Sequence, residues 1–371
     1  MILHLLFHDK FEDYAIKQFS LPEMCSELIV IHSSPVFCHS PSYPNTRFIY
    51  ENSSDFDQLL LHLDQFKAIV FHGLFSPWQE KVLRCVPQFV KVAWVFWGGD
   101  IYCRKELREK YLSRLSKLLL QVYNIKRIIK RQPIEERYEI PFELLKRIDY
   151  CLSDIDEDYF FVKNYFKTNI ECLWYNYYSI EETIGELSEL KCSGNNVLLG
   201  NSSSIECNHL DGLLSIKKLG LLPSSSKIYV PLNYGDAWLK RCVSFVGRLL
   251  FGSRFMVISK FLPRNQYNDI IRSCSIAIMP HYRPQAFGNI LTALWLGTRV
   301  YISKKNNLYG FFKRIGVFVF SIEDDLLSKR NSTLAPLSDD EIRVNRLILS
   351  SIYGSERMYL RNVELVNKLN L

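Results

Sequence analysis

Residues 197–214 read VLLGNSSSIECNHLDGLL. An apolar run stops at Gly200, four small polar residues follow, and apolar residues then resume at helical spacing. Open α/β sheets bind ligands beyond the carboxyl ends of their strands, so a glycine and a polar cluster at such an end have the form of a ligand loop. Short apolar runs recur on both sides of this stretch. ILHLLF, ELIVIHS, AIVFHG, VAWVFWGGD, IDYCLS and ECLWYN precede it; KIYVPLNYGD, RFMVISKF, CSIAIMPHY, TRVYISKK and VFVFSIED follow. Several are continuous rather than alternating, as in parallel strands covered on both faces. Amphipathic segments such as LDGLLSIKKLG and YNDIIRSCS lie between them. This alternation predicts an α/β protein with two Rossmann-like domains and parallel sheets. The expected boundaries are an N-terminal domain over 1–178, a linker over 179–196, a second domain over 197–337 and a helical tail over 338–371. Ser338 and Glu341 have the spacing of a capping box at the start of that tail.

A chain of 371 residues can bury two cores. Its ten cysteines, at 25, 38, 85, 103, 151, 172, 192, 207, 242 and 274, form no Cys-x-x-Cys pair, which excludes a zinc ribbon and a dithiol redox motif. Scattered single cysteines read as reduced residues of a cytosolic protein. No apolar run approaches the roughly 20 residues of a membrane span. The opening MILHLLFHDKFEDY has no basic n-region and reads as a first strand rather than a signal peptide.

The charge is concentrated. Residues 104–131, RKELREKYLSRLSKLLLQVYNIKRIIKR, hold ten Lys or Arg against two Glu, a local +8 beside +7 for the whole chain. Leu107, Tyr111, Leu115, Leu118, Leu119 and Val122 can share one helical face. Two readings stand: a solvated basic helix face, and adsorption to an anionic membrane with the apolar face at the interface. The segment has no recognised nucleic-acid motif, so nucleic acid is not an expected partner.

Three turns at successive strand ends of the second domain offer phosphate- or ribose-binding groups. The first is Gly200, Asn201, Ser202 and Ser203, with Asn208 and His209 expected about two turns into the following helix; its alternative is a polar turn with a serine N-cap. In the second, VPLNYGD, Tyr234 and Gly235 could meet a planar group such as a nucleobase; the alternative is a plain turn. The third, HYRPQAFGN, places Arg283 and Gln285 before Gly288, Asn289 and a helix that ends at Gly297. A guanidinium beside a helix N-terminus suits a diphosphate. Lys260 is a second candidate cation, with an ordinary surface lysine as its alternative.

This last stretch resembles the donor-binding segment of GT-B glycosyltransferases, whose two lobes face each other across a cleft. It departs from the subgroup with two glutamates, since Gln285 stands at the first place and Thr292 or Ala293 at the second. A closer resemblance covers most of the chain: FHGLF at 71–75, WVFWGGDIY at 94–102, LLGNSSSIECNH at 198–209, VPLNYGD at 230–236, and RPQAFGN with Gly297. In this order they look like the TDP-4-acetamido-4,6-dideoxygalactose:lipid II transferases of enterobacterial common antigen synthesis, glycosyltransferase family 56. The resemblance implies a TDP-linked amino-deoxy sugar as donor and a polyprenyl-diphosphate-linked saccharide as acceptor. It also implies peripheral attachment to the cytoplasmic face of the bacterial inner membrane, for which 104–131 is the candidate surface.

Glycosyl transfer needs the leaving diphosphate stabilised and the acceptor hydroxyl positioned and deprotonated. Arg283 is the first candidate for the diphosphate. Asp100 and His72 are the candidate bases in the N-terminal domain, beside Gly98, Gly99 and Tyr102 on the acceptor side. Their alternatives are a helix N-cap for Asp100 and a satisfied core histidine for His72. No cofactor and no metal is expected; the Asp-x-Asp within SDIDED, 153–158, reads as a solvated acidic loop. The rival function is a non-catalytic protein of the same bilobal fold that binds a nucleotide or a phosphorylated metabolite. An epimerase is disfavoured by the lack of Gly-x-Gly-x-x-Gly near the N-terminus.

Overall fold

The apolar runs become strands of two all-parallel sheets. The computed structural model describes residues 1–9, 11–33, 45–131, 137–220, 222–328 and 334–371; Cys38 lies outside the described residues. The first sheet contains β1 (Ile2–Phe7), β2 (Ser26–His32), β3 (Thr46–Tyr50), β4 (Ala68–His72), β5 (Lys91–Val95), β6 (Tyr150–Leu152) and β7 (Glu171–Leu173), in the order β3-β2-β1-β4-β5-β6-β7. The second contains β8 (Asn196–Leu199), β9 (Ile228–Pro231), β10 (Phe255–Ile258), β11 (Cys274–Met279), β12 (Arg299–Ile302) and β13 (Phe320–Ser321), in the order β10-β9-β8-β11-β12-β13. Each sheet starts inside and grows outward, then reverses, so each has a switch point: between β1 and β4, and between β8 and β11. At such a point the loops leaving two neighbouring strands part and leave room for a ligand.

Burial explains why the runs are continuous. Every residue of β11 is buried, as are Ile2 to Leu6 of β1, because helices cover both faces of each sheet. His4 is fully buried in the middle of β1. The two cores are separate: Leu6, Ile16, Phe19, Val30, Val70 and Val95 belong to the first, and Leu199, Leu213, Val230, Val243, Ile278 and Tyr301 to the second.

The chain divides less simply than its order suggests. One compact unit comprises Met1–Arg104, Glu136–Ser179 and Ser355–Leu371; the other comprises Lys105–Glu135 and Ile180–Gly354. Three expected boundaries change. The basic segment after Arg104 belongs to the second unit. Residues 180–196 are no linker but start with a helix, Ile180–Ile184, that packs on the helix Phe287–Leu296. The tail has the Ser338–Glu341 capping box as expected, but Gly354 breaks it into two helices, Asp339–Tyr353 and Ser355–Asn370. The last one returns to the first unit and buries Leu365, Val366 and Leu369 in its core.

The basic segment is likewise not one helix. Leu107 is buried in a short turn of helix, Lys105–Arg108, and a long helix, Arg114–Ile129, then starts from Ser113, whose side chain caps the Ser116 amide. Leu119 packs against the second core, whereas Leu118, Val122, Ile125 and Ile129 are each more than half exposed. Their spacing of four, three and four residues puts them on one stripe of the helix. Tyr123 donates to Asp236 Oδ2 at 2.9 Å and Lys126 lies 5.6 Å from the Trp238 ring, which ties this helix to the neighbouring helix Ala237–Phe251. That neighbour exposes Phe245 and Leu249.

Candidate functional site

In the second unit the loops after β8, β9 and β11 leave three adjacent strands, and hydrogen bonds lock them together. The Ser203 amide and hydroxyl both donate to the Tyr234 carbonyl at 2.8 Å, and the Asp236 amide donates to the Ser203 carbonyl at 3.0 Å. Gly235 makes this pairing possible: a Cβ there would stand 2.7 Å from the Ser203 oxygen. Asn201 donates to the Tyr234 hydroxyl at 3.2 Å and accepts from Cys207 Sγ at 3.1 Å; Gln285 reaches the Glu206 carbonyl at 3.4 Å. Asn201, Ser202, Ser203, Asn208, His209 and Arg283 are buried, while Tyr234 is half-exposed. The structure therefore brings the three predicted turns into one cluster.

Several residues hold places other than those expected. Asn208 and His209 do not lie two turns into a helix. A 3-10 turn, Ile205–Cys207, intervenes, Asn208 adopts a left-handed conformation, and the helix His209–Leu219 begins only there. No serine caps it. Asn208 instead braces the loop, accepting from the Ser113 amide at 2.9 Å and donating to the Pro280 carbonyl at 3.1 Å. Lys260 is exposed after the edge strand β10, two strands away from β8. Asn289 is held by Tyr267, its amide donating to that hydroxyl at 3.0 Å. Gly288 lies in the first turn of the helix Phe287–Leu296, whose N-cap is the left-handed Ala286.

Gly200 also has a different reason. Its φ is +66°, and a Cβ would stand 2.8 Å from His209 Nε2, so the glycine makes room for an imidazole. That nitrogen is buried without a hydrogen-bond partner. A second histidine shares the pattern: His281, at the end of β11, has Nδ1 2.8 Å from Asn306 Nδ2, and its Nε2 is buried and unpartnered. The Asn306 oxygen accepts from the Leu308 amide, so its nitrogen is the donor and His281 carries its proton on Nε2. Burial holds His281 near 3, helped by the Arg283 charge, and His209 near 4. Arg283 thus stands among neutral imidazoles. His281 and Asn306 were missed; the signal was a histidine directly after the apolar run CSIAIMP.

In the first unit, Asp100 is not an N-cap. Gly98, at φ +74°, caps the short helix Gly99–Tyr102, and Asp100 lies within it. Its Oδ2 accepts from Trp94 Nε1 at 2.8 Å and from the Trp97 amide at 3.4 Å, and its Oδ1 is buried without a partner. Burial raises this carboxyl to about 7, against the hydrogen bonds that favour its charged form. Tyr102 is fully buried and donates to Asp158 at 2.5 Å. Asp156, Glu157 and Asp158 occupy the first turn of the helix Asp156–Phe166, where the helix dipole favours negative charge. Among the described residues no three His, Cys, Asp or Glu come together as a metal site.

His72 matches the core-histidine reading, and this corrects its expected role as a base. Ser26 donates to the Met24 carbonyl and so accepts from His4 Nε2 at 3.3 Å. His4 Nδ1 then accepts from His72 Nε2 at 3.1 Å, and His72 Nδ1 from the Tyr177 hydroxyl at 2.8 Å. Trp97 Nε1 completes the chain by donating to the Tyr177 oxygen at 2.7 Å. Every donor meets one acceptor if both imidazoles are neutral, and burial holds them so. His72 has no nitrogen left for a substrate. Two surface cavities, about 370 and 210 Å³, open beside Ser26 and Thr46 and beside Lys91 and Tyr150. Both lie at strand N-termini, the wrong end of a parallel sheet for its usual ligand site.

No protein-family model matches the chain, and no curated protein matches its sequence. Solved structures do share its fold. The sucrose-phosphate synthase of Thermosynechococcus elongatus is 11% identical, with 99% of this chain and 98% of that one covered at a TM-score of 0.64. A glycosyltransferase from Rickettsia africae has the same identity, coverage and TM-score. WaaG, a glycosyltransferase involved in lipopolysaccharide biosynthesis, is 13% identical over 100% of this chain and 99% of its own, at a TM-score of 0.58. At these identities the likeness shows the fold: two Rossmann-like units of the GT-B type.

Two outcomes follow from this geometry. Gly200→Ala is expected to cost about 2–3 kcal/mol in urea unfolding, combining left-handed strain of ~1–2 kcal/mol with displacement of His209; a change below ~0.5 kcal/mol contradicts the packing. The second outcome concerns acid. His72 is held below its unfolded value of ~6.5, so as pH falls under that value the unfolded chain takes up a proton that the folded one refuses. Its contribution is present above ~6.5 and is lost below, at ~1.4 kcal/mol per pH unit. His4, His209 and His281 act likewise, and Asp100, Glu12 and Asp211, raised by burial, act oppositely. The stability loss between about pH 6.5 and 5 should be shallower in His72→Gln than in the natural protein by about one proton's worth of slope. Equal slopes contradict the neutral chain.

Proposed function

We propose that the protein is a glycosyltransferase that moves an amino-deoxy sugar, a 4-acetamido-4,6-dideoxyhexose, from a TDP-linked donor to a polyprenyl-diphosphate-linked saccharide in bacterial surface polysaccharide synthesis. The observation that carries this reading is the cluster around Arg283 at the switch point of the second sheet. It joins a buried guanidinium, small polar side chains and the start of the helix Phe287–Leu296 where a diphosphate would lie. The fold supports the reaction class, and the motifs resembling family 56 support the donor and acceptor.

Arg283 and the amides of the Phe287 helix stabilise the departing diphosphate. Tyr234 is the half-exposed ring beside them for the base of the nucleotide. Asp100 is the general base: a carboxyl near 7 is balanced between holding and releasing a proton at neutral pH. Its Oδ1 is buried and accepts no hydrogen bond. His72 takes no part in the transfer.

TDP should raise Tm more than UDP, GDP or CDP, and Arg283→Ala should remove that rise. Asp100→Asn should keep it, fold at least as stably above about pH 7, and lower kcat by about 10²–10⁴-fold. The kcat/KM of the natural protein should rise with pH through about 7 as the carboxyl ionises. TDP binding without sugar transfer to any lipid-linked acceptor would instead make this the non-catalytic binding protein; indifference to all four nucleotides would end the donor reading.

Attachment to the cytoplasmic face of the inner membrane is part of the same proposal. No described helix is long and apolar enough to cross a membrane. The exposed stripe Leu118, Val122, Ile125 and Ile129 is bordered by Arg114, Lys117, Lys126 and Lys130, an arrangement suited to lying in an anionic interface. Each cation adds about 1 kcal/mol near such a surface. The protein should sediment with phosphatidylglycerol vesicles and not with phosphatidylcholine ones. Ile125→Asp should reduce that binding about tenfold or more with Tm unchanged; undiminished binding would remove this helix from the interface.

A further inference from the structure

The helix Ala237–Phe251 carries exposed apolar groups that the fold does not use. Its inner face, with Leu239, Val243 and Phe251, is buried in the second core. Gly247 lies hard against β10, where a Cβ would stand 2.2 Å from the Phe255 ring. The helix is held by that face. On another face Trp238, Cys242, Phe245 and Leu249 follow at spacings of four, three and four residues and form one stripe. The start of the stripe meets the helix Arg114–Ile129: the Tyr123 ring lies 5.0 Å from that of Trp238, and Lys126 lies 5.6 Å from it. Its end is open, with Phe245 70% and Leu249 74% exposed. The loop after β10 adds Phe261, 86% exposed, beside the exposed Lys260. Lys240 ties that loop to the helix by donating to the Ser259 carbonyl at 3.2 Å.

The charge around these groups has one sign. From 237 to 268 the chain holds six Lys or Arg, at 240, 241, 248, 254, 260 and 264, and no Asp or Glu. Arg241 and Arg248 are exposed and stand four residues before and three after Phe245, so they share its face. We propose that the face carrying Phe245, Leu249, Arg241 and Arg248, with Phe261 and Lys260 in the adjoining loop, is a second membrane-docking surface that inserts its apolar side chains among anionic lipids. Two observations choose a lipid surface over a protein. Each large side chain stands out into solvent instead of lining a groove, so a protein would need a separate pocket for every one, whereas a fluid interface admits a protruding ring wherever it falls. The cations carry no interspersed acid, which suits anionic headgroups and not a partner of mixed charge. The proposal rests on the membrane-attachment reading for the lipid it names, but it uses residues outside the helix Arg114–Ile129, so the two fail separately.

The test is the partition of the full chain onto phosphatidylglycerol vesicles, read by sedimentation. Phe245→Ser combined with Leu249→Ser should weaken binding by about tenfold or more with Tm unchanged, since both side chains stand in water in the free protein. Arg241→Gln combined with Arg248→Gln leaves the apolar groups in place and should weaken binding by about fivefold or more, a readout that survives if the first variant fails to fold. Leu347→Ser removes a leucine of similar exposure, 67%, from the helix Asp339–Tyr353 and should change nothing. Unchanged binding in either double variant, or an equal loss in Leu347→Ser, overturns the surface. So does a lipid-free dimer of the natural protein that the Phe245 and Leu249 variant turns into monomers, since the face would then belong to a second copy. Ile125→Asp reports on the helix Arg114–Ile129: a loss there with none here sinks only this surface, and the reverse sinks only that helix's role.

Discussion

A carbonyl and an amide at Ser203 bind the loop after β8 to the loop after β9, and the second unit's candidate site depends on that pairing. It extends the parallel ladder past the ends of the strands, through a bridge between Ser203 and Gly235. Only a residue without a Cβ fits against the Ser203 oxygen, and Gly235 has a φ of +107° that a side chain would resist. Because the ladder continues, Asn201 and Tyr234 face each other, and the loop after β11 has a fixed edge to close on. Arg283 owes its place to this frame as much as to its own strand.

The buried imidazoles differ between the two units. In the first, two imidazoles are saturated: the tautomers follow one another from Trp97 to Ser26, and no nitrogen is left over. In the second, His209 and His281 each keep one nitrogen buried and unmatched, in the same cluster as the Arg283 guanidinium. Unmatched buried polar groups cost stability, of the order of 1–3 kcal/mol each. Burial keeps the imidazoles neutral in both units.

How much of this could be read from residues alone varies with the range of the interaction. The continuous runs ILHLLF and CSIAIMP announced parallel strands because burial on both faces is a local property of a strand. The three turns were found for the same reason, each lying directly after its own run. The reach of Ser355–Asn370 back to the first unit, and the departure of 105–135 from it, were not legible, since helical periodicity says that a face is buried but not against what. Gly200 and Gly235 stand where a ligand loop would have them, yet the atoms they admit are His209 Nε2 and the Ser203 oxygen. His72 looked like a base because a histidine at a strand end is exposed in most arrangements; only the position of His4, 68 residues earlier, shows it to be enclosed.

On the proposed reading, the distribution of charge divides the labour. A donor diphosphate is an anion, and the second unit offers it the buried Arg283 guanidinium beside imidazoles that burial keeps neutral. The Arg283 guanidinium itself helps keep His281 uncharged. An acceptor hydroxyl is neutral, and the first unit offers it a carboxyl whose affinity for a proton burial raises. The neutral chain behind Trp97 ends on that indole, and burial raises the Asp100 carboxyl against the hydrogen bonds it accepts from Trp94 and the Trp97 amide.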